Sequence, residues 1–134
     1  MAAAWAGECR RRGQISRLTP PLDRATRNVR VLVRRSAVSI WRGEQMPAGT
    51  VELIRRLRHS AAAMADDLAA HRGLDGHRAD LTAIGVASSA YDLTPTLSTT
   101  VVLAQIRSLV VDLAEVTGLD AATARDAVPP IPTD

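Results

Sequence analysis

The chain has 134 residues, a length that suits one domain. Hydrophobic residues make up 46% of it, but alanine accounts for 23 positions and phenylalanine is absent, so the predicted core depends on close helix approach more than on large side chains. Cys9 is the single cysteine, which excludes an internal disulfide and a zinc site built on cysteine pairs.

Charge is divided unevenly along the chain, and all 17 basic residues are arginine. Residues 1–42 hold ten arginines against Glu8 and Asp23, a balance of +8, whereas residues 43–134 hold seven arginines against twelve acids, a balance of −5. The two balances sum to the net charge of +3. This asymmetry predicts that the N-terminal third faces something anionic.

The first segments in chain order are a basic arm and an amphipathic helix. Residues 1–19 lack clear periodicity, which predicts a frayed helix or a disordered arm. Pro20 and Pro21 mark a boundary, and a helix is predicted over 22–42, ended by Gly43. Its apolar stripe consists of Leu22, Ala25, Val29, Leu32, Val33, Ser36 and Ile40.

Two further helices follow. Pro47 lies in the first turn of the second helix, which is predicted to stop at Gly73. Its stripe consists of Val51, Ile54, Leu57, Ala61, Met64, Ala65 and Leu68. The third helix is predicted over 75–91 with Asp75 as N-cap. Its inward face consists of Leu81, Ile84, Ser88 and Tyr91.

The last third of the chain predicts one long and one short helix. Thr94-Pro95 has the pattern of an N-cap followed by proline, and the helix is expected to end at Gly118. Its inward face consists of Val102, Ile106, Leu109, Leu113 and Val116. Asp120 is the predicted N-cap of a short helix reaching Val128.

These elements predict an all-α fold, an antiparallel bundle of four main helices with a short C-terminal helix. The predicted divisions are the basic arm 1–19, the bundle 20–128 and a disordered tail 129–134. The longest uncharged stretch, Leu93–Ile106, is shorter than the roughly 20 residues of a spanning helix. We therefore expect a cytoplasmic domain, either soluble or held at the inner face of the cell membrane by something else.

Signatures of catalysis are missing from the sequence. The segment Gly73-Leu74-Asp75-Gly76 lacks the lysine and the preceding strand of a phosphate loop, and no serine nucleophile elbow occurs. We therefore predict no enzyme, no catalytic residue and no cofactor.

One group of side chains has metal-ligand chemistry. Asp67 and His71 are four residues apart, His77 and Asp80 are three apart, and a tight hairpin would bring the four together. The alternative is that they are solvated residues at helix ends, with Asp67 and His71 forming a weak pair. We favour this alternative and predict no metal site.

Five arginines of the first helix are the predicted contact with an anionic surface or partner: Arg24, Arg27, Arg30, Arg34 and Arg35. The candidate partners are an anionic membrane surface, an acidic protein, another copy of the chain and nucleic acid, and a merely solvated face is the alternative. Nucleic acid is disfavoured because aromatic residues, the stacking platforms for bases, make up only 2% of the chain. A bilayer needs no such platform, since each arginine near anionic headgroups contributes about 1 kcal/mol.

Two segments resemble one protein family. Residues 21–35, PLDRATRNVRVLVRR, are similar to a helix of actinobacterial fusaric-acid-resistance-type proteins, the aromatic acid exporter-like family. Residues 103–113, LAQIRSLVVDL, followed by Thr117-Gly118-Leu119-Asp120, are similar to a segment near the C-terminus of the same proteins. With the helices between them, the resemblance covers residues 20–128.

The resemblance implies the C-terminal cytoplasmic helical region of a membrane exporter. It implies an accessory or regulatory domain, detached or truncated and not transport-competent alone, whose partners include membrane-embedded exporter helices. No catalytic or substrate residue is carried over with it. The alternative function is a stand-alone basic helical module that binds nucleic acid or an acidic protein.

Overall fold

The computed structural model describes residues 1–90 and 96–132. In this part of the chain the regular secondary structure is helical and no strand occurs, which confirms the all-α bundle of four main helices with a short C-terminal helix. The elements are α1 Ala2–Trp41, α2 Ala48–Ala69, a 3₁₀ turn Asp75–His77, α3 Arg78–Ser89, α4 Leu97–Val116 and α5 Ala121–Asp126.

Helix α4 forms the centre of the bundle. It packs against α1, α2, α3 and α5, and Val102, Ile106 and Val110 on it are fully buried. Helix α3 runs antiparallel to α4, because Arg78 near its start bonds Thr117 and Ser89 at its end bonds Arg107. The core therefore surrounds α4 on most of its circumference.

Helix α1 is longer than the sequence predicts. It begins at Ala2, not at residue 22, and Pro20 and Pro21 lie inside it. The arm 1–19 is thus helical, and its side chains before Leu18 are all exposed. Neither proline has an N–H to donate, so the two breaker residues interrupt hydrogen bonding but do not end the helix.

Three predicted helix ends are confirmed. Gly43 follows α1 with φ +67° and Gly118 follows α4 with φ +101°, a region of φ that glycine enters without strain. Asp120 caps α5, since its carboxylate accepts from the backbone N–H groups of Ala122 and Thr123.

Other predicted ends were wrong. Helix α2 stops at Ala69, before Gly73, because His71 adopts φ +56° and the Arg72 N–H bonds the Asp67 carbonyl at 2.8 Å, closing the helix in the Schellman manner. Asp75 does not cap α3; it opens the 3₁₀ turn without a capping bond. The predictions for Thr94-Pro95 and Tyr91 lie outside the described residues, and α4 begins with Thr96 as N-cap.

On α3 and α4 the described members of the predicted inward faces are buried, except that Leu113 is half-buried, whereas the apolar faces of α1 and α2 are rotated. Leu81, Ile84 and Ser88 on α3 are buried. On α2 the buried face instead includes Leu53, which the predicted stripe omits, while Val51 is exposed. On α1 four members of the predicted stripe remain exposed: Leu22, Val29, Val33 and Ile40.

The prediction of a disordered tail over 129–134 was wrong for its first residues. The Pro129 carbonyl accepts hydrogen bonds from Ser89 Oγ at 2.8 Å and from Arg107 Nη2 at 2.5 Å, and Ile131 packs against the core. Proline ends the helix but leaves its carbonyl free to accept, so the chain stays attached to α3 and α4 after α5.

Helix α4 also meets the length and apolarity of a membrane span. It is the one described helix that does, and 56% of its most apolar stretch is buried inside the bundle. A core helix and a spanning helix share this composition, so the cytoplasmic localisation stays a prediction.

Candidate functional site

Arg24 differs from the other four arginines of the predicted contact surface, because its guanidinium is bonded to two carboxylates of another helix. Its Nε donates to Asp112 Oδ1 at 2.9 Å and its Nη2 to Glu115 Oε2 at 2.6 Å, both on α4. The hydrogen bond to Asp112 and then that to Glu115 raise the pKa of Arg24. Arg24 therefore holds α1 on α4 and does not present its charge to a partner.

Arg35 is also turned toward the bundle. Its side chain is half-buried, and its Nε is buried without a hydrogen-bond partner among the described residues. Arg24 and Arg35 both lie on the flank of α1 that faces the core, and we leave them out of the contact surface.

Arg27, Arg30 and Arg34 form the arginine stripe. The three are exposed and follow the three- and four-residue spacing that places side chains on one helix face. Ala25 and Leu32, which lie toward the opposite side of α1, are buried. At 1.5 Å per residue the stripe covers about 10 Å of the helix surface.

The charge of the arginine stripe is not neutralised within the described residues. The ion pairs there join other groups, and none involves these three guanidinium groups. Exposed cations held in one row on a helix produce a local positive potential that attracts anions.

An aromatic side chain extends the same face. Trp41 lies seven residues after Arg34, two turns further along α1, and it is 84% exposed beside the exposed Ile40. Indole rings concentrate at the headgroup level of bilayers, where one edge is apolar and the other hydrated. The outer face of α1 thus combines three exposed arginines with an exposed indole ring.

The residues with metal-ligand chemistry are only partly brought together. His77 Nε2 lies 2.6 Å from Asp67 Oδ2, but His71 is exposed because it terminates α2, and Asp80 bonds Ser60 instead. Among the described residues no group of three or more His, Cys, Asp or Glu side chains is placed to hold a metal ion.

Asp67 gives the fold a predictable acid sensitivity. Its hydrogen bonds with His77 and then with Arg72 lower the pKa of its carboxyl below the usual value. A carboxyl with a depressed pKa in the folded state stabilises the fold above its unfolded pKa of about 3.9, and that stabilisation is lost as pH falls through the folded pKa.

We therefore expect Asp67→Asn to lower the melting temperature slightly at about pH 7. This effect should shrink as pH falls below about 3.9 and through the lowered pKa of Asp67, where the native carboxyl also becomes neutral. Thermal unfolding of both proteins across this range measures the difference. Asp66→Asn, at the exposed neighbouring position, is the control. A gap between Asp67→Asn and the native protein that persists at low pH would contradict this origin.

Sequence reasoning missed the acidic partners of Arg24. Asp112 and Glu115 lie on α4, 88 and 91 residues away along the chain, and Asn28 Nδ2 donates to Asp112 Oδ2 at 2.7 Å. Asp112 lies between Val111 and Leu113, in an apolar stretch of α4, and is buried. A carboxylate at such a position was the available signal, since buried charges are normally paired.

Comparison of the chain with protein-family models, with curated proteins and with solved structures finds no match. The geometry of α1 is therefore the basis for a functional proposal, and membership of the exporter family stays a prediction from the two resembling segments.

Proposed function

We propose that this chain is a non-catalytic helical docking domain that binds an anionic membrane surface through the outer face of α1. The observation that carries the proposal is the arginine stripe, which is exposed, unpaired among the described residues and continued by Trp41. Arginines near an anionic bilayer contribute about 1 kcal/mol each, and an indole anchors at the headgroup level.

The resemblance to exporter segments supports a location beside the membrane helices of an exporter. In this proposal the domain has an accessory or regulatory role and forms no transport path of its own. Helix α4 stays in the bundle core, where Val102, Ile106 and Val110 pack, and the membrane contact is peripheral. The arm 1–19, which forms the N-terminal part of α1, holds four further arginines. These add to the electrostatic attraction without entering the bilayer.

Binding to vesicles tests the proposal. We expect the chain to co-sediment with vesicles of phosphatidylcholine and phosphatidylglycerol in equal parts, and not with phosphatidylcholine alone. The triple variant Arg27→Ala, Arg30→Ala, Arg34→Ala is expected to lose about 3 kcal/mol of binding, a decrease of roughly a hundredfold in affinity. Added salt should weaken the binding, since it screens exposed charges.

The matched control removes the same charge from other faces of the molecule. Arg56→Ala, Arg58→Ala, Arg125→Ala also deletes three arginines that form no ion pair among the described residues, two on α2 and one on α5. It should retain most of the affinity. Equal losses in the two triple variants would mean that net charge alone, and not the arginine stripe, causes binding.

Tryptophan emission separates a bilayer from other anionic partners. In the Trp5→Phe protein Trp41 is the remaining tryptophan, and its emission should shift to the blue when vesicles are added, because the ring leaves water. If the chain binds duplex DNA at low salt but shows no blue shift with vesicles, the membrane proposal is wrong and the nucleic-acid module is supported.

A further inference from the structure

An open groove runs between α1 and α2. Both helices pack on α4, but they scarcely contact each other. The groove measures about 700 Å³, and Leu109 and Leu113 of α4 form its floor. Since the two walls belong to a hairpin with a short connection, the groove is built into the fold.

The walls of the groove are apolar and open to solvent. Leu22, Val29 and Val33 of α1 line it with exposed fractions of 38%, 46% and 58%, and Ile54 and Leu57 line it from α2. From Leu22 to Val33 the wall extends about 16 Å along the helix. A contiguous exposed apolar surface of this kind marks a binding site, and the volume lies within the range of about 300–1,000 Å³ found for small-molecule sites.

Two arginines border the groove, one on each wall. Arg30 belongs to α1 and Arg58 to α2, and no acidic residue lines the groove. Neither guanidinium group forms an ion pair among the described residues. An occupant that satisfies both surfaces is apolar along its length and carries a negative charge, because guanidinium groups bond carboxylates strongly.

We infer that this groove binds a single-chain amphiphilic carboxylate, the chemical class of the fatty acids. The acyl chain lies along Leu109 and Leu113, and the carboxylate accepts hydrogen bonds from Arg30 and Arg58. A second copy of the chain fits less well, since a two-fold contact through this groove brings four arginines, two from each copy, into an interface whose lining residues include no acid. The groove occupies a different flank of α1 from Arg34 and Trp41, but Arg30 belongs to both the groove and the arginine stripe. The tests of this inference therefore use Arg58 and Val33, which lie outside the arginine stripe.

Titration with sodium dodecanoate, below its micelle-forming concentration and without vesicles, tests the inference. Saturable shifts are expected in the methyl NMR signals of Val29, Val33, Ile54 and Leu113. Arg58→Ala should weaken binding about tenfold, the loss of one charge-assisted bond. Dodecyltrimethylammonium, which has the same chain and the opposite charge, should not produce these shifts.

A pair of matched variants locates the site on α1. Val33→Asp places a carboxylate in the groove and should abolish dodecanoate binding, whereas Val31→Asp, which is also exposed on α1 but does not line the groove, should leave it unchanged. Both positions are open to solvent, so both proteins should fold, as checked by circular dichroism.

Each of the following results would overturn the inference: no methyl shifts with dodecanoate, equal binding of the cationic amphiphile, or unchanged binding by Val33→Asp. Concentration-dependent shifts of the same methyl signals without any ligand would also overturn it, because the occupant would then be a second copy of the chain. Vesicle binding in the preceding experiments bears on none of these results.

Discussion

Replacing Gly85 by alanine is expected to lower the free energy of unfolding by about 3 kcal/mol. In an exposed helix the same change stabilises by about 0.5–1 kcal/mol, because glycine loses more backbone entropy on folding. At Gly85 the substitution destabilises instead, since the added Cβ would overlap the backbone carbonyl oxygen of Ala127 and lie 3.2 Å from Cγ2 of Val128.

The overlap cannot be relieved by a side-chain rotation, because the obstacle is backbone. Helix α3 and the segment after α5 must separate, and this exposes Ala124 and Ala127, which are buried in the native structure. It also removes the Pro129 carbonyl as acceptor for Ser89 and Arg107. The close approach that small residues permit thus attaches the C-terminal segment to the bundle.

Urea unfolding followed by circular dichroism measures the expected loss. Gly76→Ala is the control, since a Cβ there meets nothing within 4 Å, and it should change stability by no more than about 0.5 kcal/mol. In a chain shortened to end before Ala127, Gly85→Ala should no longer destabilise. If the shortened chain is destabilised to the same degree, the cost arises within α3 and not at its contact with the C-terminal segment.

The sequence predicts which parts of the chain are helical better than it predicts which flank of a helix is covered. The period of the apolar residues places α2 to α5 along the chain. Gly43, Gly118 and Asp120 mark the end of α1, the end of α4 and the start of α5, because these residues act locally. On α1, however, the periodicity defines an apolar face that is wider than the surface covered by other helices. Which side of that face is buried depends on the tertiary structure. Leu22, Val29 and Val33 satisfy the periodicity and still line an open groove.

For the candidate site, too, the sequence predicts the helix face better than it predicts which of its side chains are available. Composition and the run of arginines predicted a basic face on α1, and three of the five named arginines are exposed there. Arg24 was indistinguishable from Arg27 by sequence, because the partners that remove it from the surface lie on α4 at the other end of the chain. Local rules define a helix face, whereas long-range ion pairs select which of its charges are available.

Asp112→Asn is expected to lower the free energy of unfolding by about 2 kcal/mol. Asp112 is 5% exposed and accepts from Arg24 Nε at 2.9 Å and from Asn28 Nδ2 at 2.7 Å. An amide replaces one accepting oxygen by a donor, so one of these two donors loses its acceptor in a buried position. Removing one member of a fully buried pair costs about 3–5 kcal/mol, and the partial exposure of Arg24 reduces that figure.

Glu115→Gln is the matched control, because Glu115 bonds the same guanidinium group but is more exposed and has one contact. We expect it to cost less than about 1 kcal/mol. Combining Asp112→Asn with Arg24→Gln in a double-mutant cycle should give a coupling of about 1 kcal/mol, as for residues in one network. Additive effects would mean that Asp112 stabilises the bundle through Asn28 alone. The attachment of α1 to α4, which holds the arginine stripe outward and the groove open, would then depend on apolar packing and not on this ion pair.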